Sequence, residues 1–168
     1  MKTILLEEYD DNWPARFERE AARVRAALGE RVLDLEHVGS TAVPGLRAKP
    51  IVDIVLAVSD SSREPDYAPP LAAAGYRLAV REPEWRQHRM FKGPEGDVNL
   101  HVFSAGCPEI ERMRRFRDHL RADPADRELY GRTKSELAAK KWGNTQAYAD
   151  AKTAVVAEIL ARAGCKPE

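Results

Sequence analysis

Apolar residues recur every three to four positions in four stretches of the chain, and this spacing predicts helices. The first stretch begins at Asn12-Trp13-Pro14 and stops at Gly29, where a cap, a first-turn proline and a closing glycine mark typical helix boundaries. The other three follow Pro108 and are separated by Asp123-Pro124 and by Gly143-Asn144-Thr145. The last 60 residues or so are therefore expected to be helical.

Short apolar runs bounded by turn residues predict the strands. They lie at Arg31–Val38, Ile51–Val58, Tyr76–Val80, His88–Lys92 and Asp97–Phe103, with a short edge strand at Thr3–Glu7 and a short helix at Tyr67–Ala74. The order predicts an α/β (α+β) sandwich that ends in a meander of three strands and a helical extension over 108–164. Because no linker is rich in Pro, Gly or Ser, we expect one domain over 1–168, with its sheet core in 1–104.

Composition and charge exclude several classes of partner. Lys and Arg number 27, as do Asp and Glu, whereas proteins that coat long nucleic acids or anionic membranes usually carry a basic surplus. The N-terminal segment turns acidic after three apolar residues, no run is long enough to span a membrane, and Cys107 and Cys165 have no metal-ligand spacing. We expect a cytoplasmic protein that binds neither extended nucleic acid nor membrane.

The strongest candidate for anion binding is the turn after the second predicted strand. Gly39 can adopt a positive φ, and Ser40 and Thr41 add hydroxyl groups at the same point. A phosphate loop of the G-x-x-x-x-G-K-[ST] kind is excluded, because five residues separate Gly39 from the next glycine and Leu46 stands where lysine belongs. A turn that needs glycine only for its shape is the alternative.

Charged residues follow this turn. Arg47 and Lys49 precede the run Ile51–Val58, in which Asp53 is the single charged residue. A carboxylate in such a run needs a partner. Asp53 therefore either closes a salt bridge or faces a site that uses its charge.

A third polar group lies on the last predicted strand. Asp97, Asn99 and His101 alternate with apolar residues and so share one face. His101 is a candidate base, metal ligand or phosphate contact, and a half-solvated strand is the alternative. His37, just before the turn, is a second candidate for which a structural role is equally compatible with its position.

Four segments resemble the GrpB family, whose members look like the nucleotidyltransferase superfamily: HVGSTAVPGL (37–46), AKPIVDI (48–54), NLHVF (99–103) and YADAK (148–152). The resemblance spans roughly residues 3 to 162 and implies a mixed sheet flanked by helices. It also implies a nucleotide or another phosphorylated small molecule as ligand. The same module can occur fused to dephospho-coenzyme A kinase.

The resemblance implies roles for single residues. In nucleotidyltransferases the Gly-Ser turn contacts phosphates, and paired carboxylates two residues apart on a strand hold two metal ions. Here the second carboxylate is missing, because Val55 stands at its position, and Asn99 replaces the first histidine of the family's usual HLH run. We expect at most one Mg²⁺ ion, with Asp53 and His101 as metal ligands or catalytic groups. The predicted substrate-binding residues are Gly39, Ser40, Thr41, Arg47, Lys49, Arg89, Tyr148 and Lys152.

A Tyr-x-x-x-Lys spacing occurs twice in the C-terminal helices, at Tyr130 with Lys134 and at Tyr148 with Lys152. The spacing places both side chains of each pair on one helical face. By analogy with nucleotidyltransferases, Tyr148 and Lys152 close the cleft over the phosphates. The alternative is a core or boundary tyrosine with a lysine that extends to solvent.

Three hypotheses for the function follow. The first is a nucleotidyltransferase-like protein that binds a nucleotide and transfers a nucleotidyl group with Mg²⁺. The second is a non-catalytic nucleotide- or metabolite-binding module, which the missing carboxylate at Val55 favours. The third is a phosphohydrolase that uses His101 and Asp53.

Overall fold

The computed structural model describes residues 5–139 and 145–165. Its strands are β1 (Asp34–Val38), β2 (Val52–Val58), β3 (Arg77–Glu82), β4 (His88–Lys92) and β5 (Val98–Ser104), and its helices are α1 (Asn12–Leu28), α2 (Ala68–Ala73), α3 (Pro108–Ala122), α4 (Pro124–Ala138) and α5 (Thr145–Arg162). The strands form one sheet in the order β1-β2-β5-β4-β3. The β2–β5 pair is parallel and the other pairs are antiparallel. The predicted mixed α/β fold is confirmed.

The two faces of this sheet differ in polarity. On one face Ile54, Leu56 and Leu100 pack against α1 and α2 in a buried core that includes Trp13 and Leu71. The opposite face carries polar side chains, because the register pairs Asp53 with Asn99 and Val55 with His101 across β2 and β5. The alternation predicted from the sequence therefore separates a core face from a polar face.

Several predicted boundaries shift by a few residues. Helix α1 begins at Asn12 with Asp11 as its N-cap, and Gly29 ends it with a φ of 56°. Residues 29–31 then form a 3₁₀ turn, so that β1 starts three residues later than predicted. Of the predicted N-terminal edge strand, the structure has an isolated bridge between Glu7 and Ala48, and Thr3 lies outside the described residues.

The C-terminal helices cover the polar face at the loop that joins β1 to β2. Val43 and Leu46 of this loop pack with Leu120 of α3, Tyr130 of α4 and Ile159 of α5 in a second apolar cluster. The loop is therefore held between the sheet and three helices. Among the described residues, no helix combines the length and apolar character that crossing a membrane requires.

Candidate functional site

The turn after β1 places backbone directly against Asp53. Gly39 has φ 76° and ψ −174°, a conformation that is essentially restricted to glycine. A Cβ atom at this position would lie 2.7 Å from Asp53 Oδ2. Residues Ser40–Ala42 continue as a 3₁₀ turn. Glycine is therefore required both for the backbone conformation and for the close approach of this backbone to the Asp53 carboxylate.

A cavity of about 180 Å³ opens beside this turn. Its lining residues come from the N-terminal segment, the turn, the sheet and the last two helices: Leu6, Ser40, Thr41, Ala48, Lys49, Ile51, Asp53, Asn99, Lys134 and Lys152. The three lysines approach from three different segments and face a single lining carboxylate. With all three lysines protonated and Asp53 ionised, these side chains carry two net positive charges.

Lys134 is the most deeply buried of the three lysines, with 3% of its surface exposed. Its Nζ donates hydrogen bonds of 2.8 Å to Ser40 Oγ and 2.8 Å to the Arg47 carbonyl oxygen, and lies 5.1 Å from the centre of the Tyr130 ring. No carboxylate of the described residues forms an ion pair with it. Its pKa is lowered to about 7, mainly by burial and also by the positive charge of Lys152, whereas the Asp53 carboxylate opposes the shift. A buried ammonium without a counter-ion is unfavourable, so this group is suited to an incoming anion.

Lys49 and Lys152 extend the positive charge across the cavity. Burial is the main cause that lowers the pKa of each, and the Asp53 carboxylate raises both. The charge of Lys49 also lowers the pKa of Lys152. Because both side chains line the same cavity as Lys134, the three lysines are placed to contact one ligand.

A row of hydrogen-bonded side chains crosses the polar face from the cavity to the far edge of the sheet. His101 Nε2 lies 3.1 Å from Asp53 Oδ1, His88 Nε2 lies 3.1 Å from His101 Nδ1, and Glu82 Oε1 lies 2.7 Å from His88 Nδ1. With both carboxylates ionised, the three bonds need three N–H groups, whereas two neutral imidazoles have two. The complete row therefore carries one imidazolium. Burial lowers the pKa of His88, and its bond to Glu82 opposes that shift.

The structure brings most of the predicted site residues together. Ser40, Thr41, Lys49, Asp53 and Lys152 all line the cavity. Gly39 touches Asp53, and His101 lies beside the same carboxylate, as the alternation on β5 predicts. The side chain of Tyr148 lies outside the described residues.

Two positively charged side chains that were predicted to bind the substrate lie away from the cavity. The Arg47 side chain pairs with Glu8 at the surface, and its carbonyl oxygen is the atom that reaches Lys134. Arg89 lies on the core face of β4, where its Nε donates to Glu64 Oε1 at 2.7 Å and its NH1 donates to Gln87 Oε1 at 2.9 Å. The structure places both side chains away from the cavity, because Arg47 is turned outward and Arg89 faces the other side of the sheet.

We expect Arg89→Met to lower the free energy of unfolding by about 2 kcal/mol, because it removes a buried, charge-assisted hydrogen bond to Glu64 Oε1, an oxygen that also accepts a bond from Arg81. Ligand binding should not change. Arg81→Met is the matched control, since Arg81 pairs with the same carboxylate from a half-exposed position, and its loss should be much smaller. Urea unfolding measures both variants. Unchanged stability together with weakened ligand binding would show instead that Arg89 contributes to the ligand site.

Two other candidates, Asp97 and His37, also have structural partners. Asp97 pairs with Arg16 of α1 at 3.1 Å and does not line the cavity. His37 stacks on Phe17, and its Nε2 lies 2.9 Å from Thr41 Oγ1. Burial lowers the pKa of His37 to about 4, so it is neutral near pH 7. His37 therefore supports the turn from the core side.

The predicted site did not include Lys134 or Glu82, and it included Arg89 in preference to its neighbour His88. The signal for Lys134 was its spacing from Tyr130, which equals the spacing of Tyr148 and Lys152. The signal for His88 was its position next to Arg89, since successive residues of a strand face opposite sides and one of the two must face the polar side. No sequence signal distinguished which of the two faces the polar side.

The donor set of the cavity does not fit a resident Mg²⁺ ion. Mg²⁺ requires about six oxygen ligands, whereas Asp53 is the one lining carboxylate and Asn99 Oδ1 already accepts a bond from Lys92. Val55 is buried and adds no donor atom. The nearby lysines also repel a cation. An ion could enter here only together with the phosphates of a ligand.

A second group of side chains has the spacing of metal ligands: His119, Asp123 and Asp126. Arg162 already neutralises Asp126 through bonds as short as 2.6 Å. Asp123 caps α4 by accepting a bond from the Asp126 backbone N–H. This group is therefore satisfied as a structural link between α3, α4 and α5.

Comparisons with known proteins cover nearly the whole chain. The model of the family described as GrpB protein matches residues 3–162. A UPF0157 protein of Halalkalibacterium halodurans, BH1888, is 56% identical over 96% of this chain and 83% of its own length. The crystal structure of the conserved protein GrpB from Enterococcus faecalis has a TM-score of 0.84 and 31% identity, and the match covers 95% of this chain and 96% of that one.

A further relative carries the name of an enzyme. A dephospho-CoA kinase of Mycolicibacterium paratuberculosis is 32% identical over 83% of this chain, and the match covers 40% of the kinase. This chain is therefore similar to one part of that longer protein.

Proposed function

The chain belongs to the GrpB family, and from its structure we propose that it binds a nucleotide or a related phosphorylated small molecule, with the phosphates in the cavity among Lys49, Lys134 and Lys152. The observation that carries this proposal is the environment of Lys134. Its two hydrogen bonds go to neutral oxygens, and no described carboxylate balances its charge in an almost fully buried position. A phosphate oxygen supplies the missing counter-ion.

The size and lining of the cavity define which part of the ligand enters. Pockets that enclose a drug-sized molecule measure about 300–1,000 Å³, whereas this cavity measures about 180 Å³. The phosphate end therefore fits inside, and the remainder of the ligand lies at the opening. Ser40 and Thr41 contribute hydroxyl groups to the cavity lining, and the three lysines contribute positive charge.

The relatives support a nucleotide-related role. Some proteins with this module are named dephospho-CoA kinase. The reaction that such a name describes involves nucleotide phosphates, and a lysine-lined cavity is suited to them. Transfer of a nucleotidyl group is less well supported, because Val55 leaves the two-metal arrangement without its second carboxylate.

The row from Asp53 to Glu82 favours phosphate-ester hydrolysis as a second candidate. Asp53 lies at the cavity wall, where it could contact a water that attacks phosphorus, and His101 Nε2 lies 3.1 Å from its Oδ1. The pair could take the proton of that water, and His88 holds the ring of His101 in place. Hydrolysis is distinguished from binding alone by the release of inorganic phosphate.

We expect ATP or pyrophosphate to raise the melting temperature by several degrees in EDTA, because the lysines replace a metal as partners of the phosphates. Ser40→Ala should reduce the shift, since Ser40 lines the cavity and orders Lys134. Ser62→Ala, at an exposed serine bonded to Asp60, is the control and should keep the full shift. Thermal unfolding with and without Mg²⁺ measures these effects. If no nucleotide or polyphosphate shifts the transition at millimolar concentration, the proposed function is wrong.

A further inference from the structure

The hydrogen bonds of Lys134 are compatible with two charge states. An ammonium group has three N–H donors, and a neutral amine has two donors and one lone pair. Ser40 Oγ and the Arg47 carbonyl oxygen accept two bonds. Both states satisfy these two acceptors, so the local geometry does not hold the third proton on Nζ.

The surroundings of Lys134 act against its charge when no anion is present. Lys152 approaches from α5 and Lys49 from the loop before β2, and both repel a third ammonium. Asp53 of β2 attracts it, but that carboxylate also accepts a bond from His101 of β5. On its own helix, the Tyr130 ring adds a weak attraction.

We propose that Lys134 takes up a proton when an anion enters the cavity, so that ligand binding and protonation are coupled. This inference rests on the proposed function and adds its regulation by pH. The anion supplies the counter-charge that no described carboxylate provides, and the third N–H of the ammonium then donates to the ligand. Without ligand, the neutral Lys134 amine lines the cavity at little electrostatic cost. The charged ammonium then binds the anion.

The direction of the pH dependence follows from the pKa of Lys134. Without ligand this pKa is about 7, and a bound dianion raises it towards the ordinary lysine value near 10.4. Below pH 6 the amine is already protonated, so binding takes up almost no proton. Above pH 7 the amine must gain a proton first, so affinity falls up to about tenfold per pH unit.

Calorimetric titration with sulfate tests the coupling, because sulfate stays a dianion over this range and contributes no proton of its own. Heats measured in buffers of different ionisation enthalpy give the number of protons taken up. We expect about 0.1 proton at pH 6 and close to one at pH 8.5. Binding without proton uptake at pH 8.5 would overturn the inference and leave the proposed function intact.

Two variants test whether Lys134 is the group that takes up the proton. Lys134→Arg carries a permanent charge, so it should bind sulfate without taking up a proton. If the larger side chain weakens binding, the proton uptake of the wild-type protein at different pH values still tests the inference. His101→Gln removes the imidazole that contacts Asp53. Proton uptake should persist in that variant. If uptake is lost, the histidines take up the proton, and the assignment to Lys134 is overturned. If the wild-type protein binds neither sulfate nor pyrophosphate at any pH, the proposed function itself is wrong.

Discussion

Lys134→Met should lower the affinity for pyrophosphate or ATP about 100-fold or more, with little change in fold stability. Methionine fills the space of the lysine stem but offers no hydrogen-bond donor and no charge, and charge-assisted bonds to phosphate are among the strongest a side chain makes. Stability should change little, because removing the burial cost of the polar Lys134 amine offsets the loss of its bonds to Ser40 and Arg47. Calorimetry and urea unfolding measure the two effects separately.

The matched control for this variant is Arg132→Met, which removes an exposed cation from the same helix without touching the cavity. It should bind like the wild type. Equal losses of affinity in the two variants would mean that α4 attracts ligands through general charge, and that the buried position of Lys134 has no special role.

Gly39→Ala should both destabilise the protein and abolish ligand binding. The new Cβ would lie 2.7 Å from Asp53 Oδ2, and alanine would occupy a backbone region that is essentially restricted to glycine. We expect a loss of about 3 kcal/mol in the free energy of unfolding from strain and clash together. The turn must also shift, and Ser40 then no longer meets Lys134.

Gly96→Ala is the control at a glycine of positive φ where the added Cβ meets no neighbour. Gly96 has the same φ of 76°, but a Cβ there would meet no atom within 4 Å. We expect a cost of about 1 kcal/mol from the positive φ alone and normal binding. Urea unfolding and thermal shifts with ATP compare the two variants. Similar stabilities for both would show that the contact between Gly39 and Asp53 yields easily, and that the turn is not a rigid part of the site.

Sequence patterns predicted the sheet well where one face of a strand is apolar. In β5 the residues Val98, Leu100 and Val102 alternate with polar residues, and their burial follows this alternation. In β4 the sequence HRMFK has polar residues on both faces, so periodicity could not show that His88 faces the polar side and Arg89 the core side. A register shift between Leu78 and Val80 in the partner strand adds to the difficulty.

The candidate site was predictable where its residues are close in sequence. Gly39, Ser40 and Asp53 belong to one segment, so turn chemistry and a lone carboxylate identified them. Lys134 joins them across 94 residues, and its burial depends on how α4 packs against the loop before β2. The same helical spacing is also found for a lysine that extends to solvent. Only the tertiary packing therefore distinguishes a buried lysine in the cavity from an exposed one.

The single parallel strand pair has a consequence for the order in which the chain can assemble. The β1–β2 pair and the β3–β4–β5 meander each join neighbours in sequence, whereas β2 and β5 must meet across the intervening residues 59–97. Contacts of such long separation close a large loop and tend to form late. Asp53 lies on one side of this junction and His101 on the other, and Lys134 follows both during synthesis. A nascent chain emerging from the ribosome therefore has no complete anion cavity until α4 and α5 have been made and docked.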